Sequence, residues 1–254
     1  MKIVILLAGQ GKRFGRLTLK NHKYLIKIYK SIDVLKNLSG CLEEIFFDEI
    51  IFVLGHCGKK VKSKIKYYFI KNKKKHRFLF IDDFKNNNNL YSLFAAKKFL
   101  NDNDFIVING DTIFPDTFLK KIISQKKTSI SFQESSNLNI DAPKIYLDKK
   151  NLLNIKHYHA LKKVHNNKFI GYLTGIIMIK KEFASTYFKN AEKLLNINPE
   201  KVGYYHPLVG ESIKDVKLIN QVGLWTDFDE IKEIDKVKLI LKTNMELKKI
   251  KYLF

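Results

Sequence analysis

Ile3-Val4-Ile5-Leu6-Leu7-Ala8-Gly9-Gln10-Gly11-Lys12-Arg13-Phe14 decides how the rest of the chain is read. Residues 3–7 form a short, continuous apolar run, the pattern of a strand buried on both faces. At Ala8 the side chains become small and the backbone freer. Gly9 and Gly11 let backbone N–H groups approach an anion, and Lys12 and Arg13 add positive charge. Two known phosphate loops do not fit. A dinucleotide fingerprint needs glycine where Phe14 stands, and the Gly-Lys-Ser/Thr of a Walker A loop is missing. From these residues alone, a plain glycine-rich turn between strand and helix stays open.

Working outward, strand-like runs recur at 50–54, 78–81, 105–108, 129–132, 144–147, 152–155, 175–179 and 216–219. Helical spacing covers 31–38, 59–70, 90–100 and 116–125. The alternation predicts an α/β fold with a mixed, mostly parallel sheet and helices on both faces. The pattern changes after residue 126. Residues 144–148, the polar Lys149-Lys150-Asn151 and residues 152–157 read as a hairpin, part of an antiparallel add-on that closes over the first half. One domain over 1–254 is expected, with halves at 1–126 and 127–235 and a C-terminal packing helix over 236–254. The biased stretches 71–75 and 86–89 read as loops.

The chain has 254 residues, ample for a sizeable core, and its 45% hydrophobic content excludes a disordered class. No apolar run reaches the roughly 18 residues of a membrane span, and the apolar start breaks into glycine and charge too early for a signal peptide. Cys41 and Cys57 are too few for a disulfide scaffold, so a reduced, cytoplasmic protein without a membrane partner is expected. The formal charge of +22 raises nucleic acid as a partner. Only Arg13, Arg16 and Arg77 of the 47 basic residues are arginine, the residue suited to base edges and bidentate phosphate contacts. The charge therefore reads as solvation with steering of small anions, and no nucleic acid is expected.

Past the glycine loop, Lys23 follows in Asn21-His22-Lys23-Tyr24-Leu25. Together the segments resemble the signature of the nucleotidyltransferases that join a nucleoside triphosphate to a phosphorylated metabolite. Leu7 replaces an alanine of that pattern. His22 replaces the proline before the lysine, a change expected to hold the lysine less firmly. Three further islands extend the resemblance. Residues 105–112 are an apolar run ending in Asn109-Gly110-Asp111-Thr112; Trp225-Thr226-Asp227-Phe228-Asp229 stands near the end; and Asn88-Asn89-Leu90-Tyr91-Ser92-Leu93 resembles a motif of the bacterial phosphocholine-type cytidylyltransferases.

The resemblance implies a Rossmann-like fold of the nucleotide-diphospho-sugar transferase type, with 1–126 binding nucleotide and 127–235 binding acceptor. It implies a magnesium cofactor on Asp111 and Asp229, with Arg13, Lys23 and Asp111 as catalytic residues. Leu7, Ala8, Gly9, Gln10, Gly11, Lys12, Asn88, Asn89, Ser92 and Gly110 would surround the nucleotide. Tyr172, Tyr204, Tyr205 and Trp225 are available to the acceptor, as a cage for a quaternary ammonium or as neighbours of an amide. CTP with phosphocholine or an L-glutamine phosphate type of acceptor is the implied pair, in surface-glycan biosynthesis. A sugar 1-phosphate with another triphosphate is the alternative. Other readings stay open: a glycosyltransferase using Asp227-Phe228-Asp229 as its metal motif, or a non-enzymatic basic module. Locally, Gly110-Asp111 is also an ordinary strand-end turn, 227–229 also suits the acidic first turn of a helix through Lys238, and Asn88 or Asn89 suits a helix N-cap. His157-Tyr158-His159 lacks a third ligand for zinc.

Overall fold

Strand β1 (Lys2–Leu7) is buried from Ile3 onward and pairs in parallel on both sides, with β2 (Glu49–Leu54) and β4 (Phe105–Asn109). This computed structural model describes residues 1–70, 74–86, 88–134, 142–156 and 167–251, with side chains as far as 243. A strand flanked by parallel neighbours is covered on both faces, which accounts for the unbroken apolar runs. β3 (Lys75–Phe80) extends the parallel set beyond β2. On the other side the order continues through β9 (Lys168–Ile179), β6 (Ser129–Gln133) and β10 (Lys217–Asn220). Of these strands only β9 runs against the rest.

The antiparallel add-on is β7 (Lys144–Leu147) paired with β8 (Leu153–Lys156), with β7 attached to β9. The hairpin turn is closed by the Asp148 carboxylate, which accepts from the N–H groups of Lys150 and Leu152, both at 2.8 Å.

Side chains on β1 alternate between two cores. Ile3, Ile5 and Leu7 face α1 (Val34–Leu42), α2 (Gly58–Tyr68), α4 (Asp116–Ile123) and α6 (Ile234–Lys251). Val4 and Leu6 face α3 (Asn89–Phe94) and α5 (Lys181–Ile197). Helices thus cover both faces, as expected. Helix α5 adds to the helices expected, and Ala184, Tyr187, Phe188 and Ala191 make its buried stripe at helical spacing. Burying rings such as Tyr187 and Phe188 contributes about 2–3 kcal/mol each, enough to outweigh the lysines and asparagines around them.

Other bounds shift for local reasons. Asp33 caps α1 by accepting from the Lys36 N–H at 2.8 Å, so that helix starts later than residue 31 and runs on to Leu42. The helix expected over 90–100 stops at Phe94, and the chain tightens into a 3-10 turn at Lys97–Phe99. Lys75 and Asn89, read as loop residues, begin β3 and α3. The helix suggested from 227 is corrected: Thr226–Asp227 is strand, and a reciprocal cap between Glu230 and Glu233 precedes α6. His157-Tyr158-His159 lies outside the described residues. Among the described residues no helix is long and apolar enough to cross a membrane.

Candidate active site

Because β1, β2, β3 and β4 run in parallel, their carboxyl ends share one edge of the sheet. Ligands of open α/β sheets bind at such an edge. The glycine loop, residues 81–86 and the Gly110-Asp111 turn all leave the sheet there. At Gly110 a Cβ would come within 2.5 Å of the Leu6 carbonyl oxygen, so glycine lets this turn pass beside β1. The next residues, β5 (Thr112–Ile113), pair antiparallel with β11 (Thr226–Asp227), and the Phe228 N–H donates to the Asp111 carbonyl at 2.9 Å. This two-residue pairing carries Asp229 to Asp111 from the far end of the chain.

Lys23 joins them. Its Nζ lies 2.6 Å from Asp111 Oδ2 and 2.9 Å from Asp229 Oδ1, almost wholly buried. Arg13 holds the other oxygen of Asp229 at 3.0 Å and approaches Glu230 at 3.6 Å. Burial pulls the Lys23 ammonium towards neutrality, but Asp111 and Asp229 more than reverse this and raise it above the ordinary lysine value. Asp111 is raised by burial first and by the charge of Asp229, against the pull of Lys23. Burial works the same way on Asp229, yet Lys23 and Arg13 outweigh it and hold that carboxyl below the usual range.

The lysine is firmly held, contrary to the loosening expected from the missing proline. His22 is fully buried and caps the 3-10 turn Lys23–Leu25, its Nδ1 accepting from the Tyr24 N–H at 3.4 Å. Burial, and then the charges of Lys23 and His56, push this imidazole down to about 3, so it stays neutral. Gly11 adopts the left-handed region (φ 63°) with Lys23 Cβ 3.3 Å from where its own Cβ would be. Its carbonyl accepts from the Phe14 N–H at 3.0 Å and the Thr18 hydroxyl at 2.9 Å, while Gly9 faces open space.

In front of these groups lies a cavity of about 480 Å³. The expected nucleotide residues Ala8, Gly9, Gly11, Asn88, Asn89 and Ser92 line it, together with Arg13, Lys23, Asp111 and Asp229. Gln10 and Lys12 line an adjoining cavity of about 250 Å³ instead. Leu7 and Gly110 do not line either: the Leu7 side chain belongs to the core, and Gly110 packs on β1. Asn88 and Asn89 also have structural tasks. Asn88 caps α3, and Asn89 Oδ1 accepts from the Tyr204 N–H at 2.9 Å, tying 203–205 to the start of α3. The Tyr187 hydroxyl of α5 donates to the Tyr204 carbonyl from behind.

Tyr204 and Tyr205 also line the cavity, as do Ala142, Pro143 and Leu173. Tyr172 and Trp225 do not, which corrects the expectation for both. Leu173 faces the cavity, so strand alternation turns Tyr172 to the opposite face, where it meets Phe169 and Lys144. Trp225 is buried in the core with its indole N–H donating to Gln133. Phe84, Asn109 and Glu233 line the cavity unforeseen, and so does Asp227, singled out as a site residue only for the glycosyltransferase alternative. Asn109 carried a signal, a polar residue closing an apolar strand before Gly-Asp. So did Phe84, the lone aromatic in the polar stretch 82–89.

The residues present fit the magnesium ion implied by the resemblance. Asp111 Oδ1 is buried without a hydrogen-bond partner among the described residues, and both carboxylates already converge on one cation. Among the described residues no group of three or more ligands forms. Two carboxylates suit an ion that takes its remaining oxygens from water and phosphate.

No protein-family model matches the chain. The choline-phosphate cytidylyltransferase of Haemophilus influenzae is 26% identical over 138 residues, covering 54% of this chain and 55% of that one. The matched region thus spans about half the length of that relative. Among solved structures, the inositol-1-phosphate CTP transferase from T. maritima superposes with a TM-score of 0.75 at 17% identity, covering 96% of each chain. The CTP:phosphocholine cytidylyltransferase from Streptococcus pneumoniae superposes with a TM-score of 0.67 at 21% identity, covering 94% of this chain and 98% of that one. The fold is that of these transferases.

Proposed function

We propose that this chain, related in sequence and in fold to the cytidylyltransferase-like nucleotidyltransferases, transfers a nucleotidyl group from CTP to a small phosphorylated acceptor and releases pyrophosphate. The observation that carries this reading is the meeting of Lys23, Asp111 and Asp229 beside the glycine loop, at the carboxyl edge of a parallel sheet. The acceptor is a phosphate monoester, mostly dianionic near neutral pH because its second pKa is about 6. It is already a nucleophile, and no general base is needed.

The task left to the protein is to bring two polyanions together and stabilise charge at the α-phosphate. Gly9 and Gly11 offer backbone N–H groups to the triphosphate, Arg13 neutralises its outer phosphates, and Lys23 stands at the reacting ones. Held by Asp111 and Asp229, magnesium would supply positive charge to the reacting phosphates. Ala8, Phe84, Asn88 and Ser92 surround the nucleoside, and Leu173, Tyr204 and Tyr205 receive the acceptor. The acceptor is of the phosphocholine or L-glutamine phosphate type, and the product would serve surface-polysaccharide modification.

A panel crossing CTP, UTP and dTTP with phosphocholine, L-glutamine phosphate and glucose 1-phosphate tests this, read as pyrophosphate release with magnesium present. CTP with a nitrogenous phosphate should be fastest. Faster turnover of glucose 1-phosphate with UTP or dTTP would sink the acceptor assignment and favour a sugar-phosphate transferase.

A further inference from the structure

We propose that Lys85, which leaves the sheet after β3, binds the outer phosphates of the nucleotide and holds the departing pyrophosphate in the smaller cavity. The proposal rests on the cytidylyl-transfer reading above. In that reaction an oxygen of the acceptor phosphate bonds to the α-phosphorus. The bond from the α-phosphorus to the bridging oxygen breaks, and its electron pair leaves with pyrophosphate. A polyanion must therefore be held, and then let go, on the side of Lys23 away from the acceptor.

The smaller cavity meets this requirement, since Lys23 lines it and Leu173, Tyr204 and Tyr205 do not. It shares Gly11, Arg13, Lys23 and Asp229 with the larger one, and its own wall is Gln10, Lys12 and Lys85. Four of these side chains are cations and one is a carboxylate. Two of the cations are already engaged, Lys23 with Asp111 and Asp229, and Arg13 with Asp229 and Glu230. Among the described residues Lys12 and Lys85 make no ion pair, and both are exposed at the cavity. Their charge is what this cavity offers an anion without first breaking a contact. Lys12 belongs to the glycine loop itself, whereas Lys85 comes from a separate segment.

The fold explains how Lys85 reaches the loop. β3 runs parallel to β1 with β2 between them, so residues 81–86 emerge on the same edge as the glycines. The Ile81 N–H donates to the Leu54 carbonyl at 2.8 Å, extending the ladder past the end of β3. Phe84 lies so close over Gly55 that a Cβ there would meet its ring at 2.8 Å. The Lys85 backbone is thus pinned next to β2, leaving its flexible side chain to follow the phosphates. A cation placed this way acts on nucleotide and pyrophosphate and leaves the acceptor alone.

The test uses the full chain as wild type, Lys85→Ala, Lys85→Arg and, as a charge-matched control on the exposed side of α5, Lys189→Ala. Inhibition by inorganic pyrophosphate and the KM values of CTP and acceptor are measured at low and high salt. Lys85→Ala should weaken pyrophosphate inhibition and raise the KM of CTP about fivefold, the size of one exposed charge contact. The acceptor KM should stay within about twofold, the effect should shrink at high salt, and Lys85→Arg should restore most of it. If Lys85→Ala behaves like Lys189→Ala, or moves the acceptor KM as much as that of CTP, the proposal is wrong. Calorimetric titration of pyrophosphate into wild type and Lys85→Ala decides the matter without turnover, and so separates failure of this proposal from failure of the transfer reading.

Discussion

Two parts of the wall of the large cavity, the phosphate end and the acceptor end of the proposed function, are built on different principles. At the phosphate end the cavity is held by charge: Lys23 bridges Asp111 and Asp229, and Arg13 closes onto Asp229 and Glu230. At the acceptor end it is held by side-chain hydrogen bonds to the backbone and by packing. Asn89 and Tyr187 fix the strand of chain around Tyr204 from opposite sides, and Leu173 is presented by the long strand β9. The phosphate end should therefore be intolerant of charge changes, and the acceptor end of changes in shape. On the proposed function, transfer chemistry belongs to the first and acceptor choice to the second.

Asp111→Asn should produce the largest effect. It removes a buried carboxylate that Lys23 and a catalytic ion would share, so kcat should fall by about two orders of magnitude or more, with Asp229→Asn similar. The measurement is turnover at limiting magnesium, with circular dichroism to show that the fold survives. Near-normal turnover of either variant would move that residue out of the site.

A smaller effect is expected from pH, acting through the phosphate end. His22 titrates at about 3 in the folded chain and at about 6.5 when unfolded. The unfolded state therefore binds the extra proton between these values. Stability from the neutral ring is fully present above about 6.5 and is lost as pH falls towards 3. Between pH 7 and 5 this amounts to about 2 kcal/mol, read as a shift in urea midpoint. His22→Gln should flatten that slope, and an unchanged slope would show that the ring is not what senses pH.

Arg13→Ala should raise the KM of CTP about tenfold, since its charge lies in both cavities, while Arg16→Ala, which lines neither, should change it by less than about twofold. Equal effects would mean a diffuse basic surface in place of a site. Smallest of all, Tyr205→Phe should alter the acceptor KM a few-fold and leave that of CTP unchanged, whereas Tyr172→Phe should change neither. A response at Tyr172 alone would reverse the facing of β9 described above.

The same contrast explains what could be read from the chain alone. Gly9, Gly11 and Asp111 sit just past the ends of parallel strands, so strand pattern and local chemistry bring their segments to one edge, whereas Lys23, in a 3-10 turn, was tied to them by resemblance. Asp229 was legible only through resemblance, because the β5–β11 pairing that delivers it is two residues long and leaves no periodic trace. At the acceptor end, aromatic residues look alike in sequence while a one-residue change of facing decides which of them matter. Leu173 and Tyr172 are adjacent on β9 and point to opposite faces, and a bulge shifts the register of β9 against β6 between Leu173 and Ile177. Trp225 is as aromatic as Tyr205, yet its indole is spent on Gln133 inside the core. Helix α5, which supports this end, was hidden by the polar residues of its outer face.

On the proposed function, the cluster of Lys23, Asp111 and Asp229 promotes transfer of the nucleotidyl group of a triphosphate to another phosphate. Parallel reactions with CTP labelled with phosphorus-32 at the α or the γ position test it most directly. The α label should appear in an acceptor-linked product and the γ label in pyrophosphate, only when a phosphorylated acceptor is present and not with Asp111→Asn. Alpha label in free CMP, or γ label in orthophosphate in the absence of acceptor, would mark a hydrolase and contradict the account.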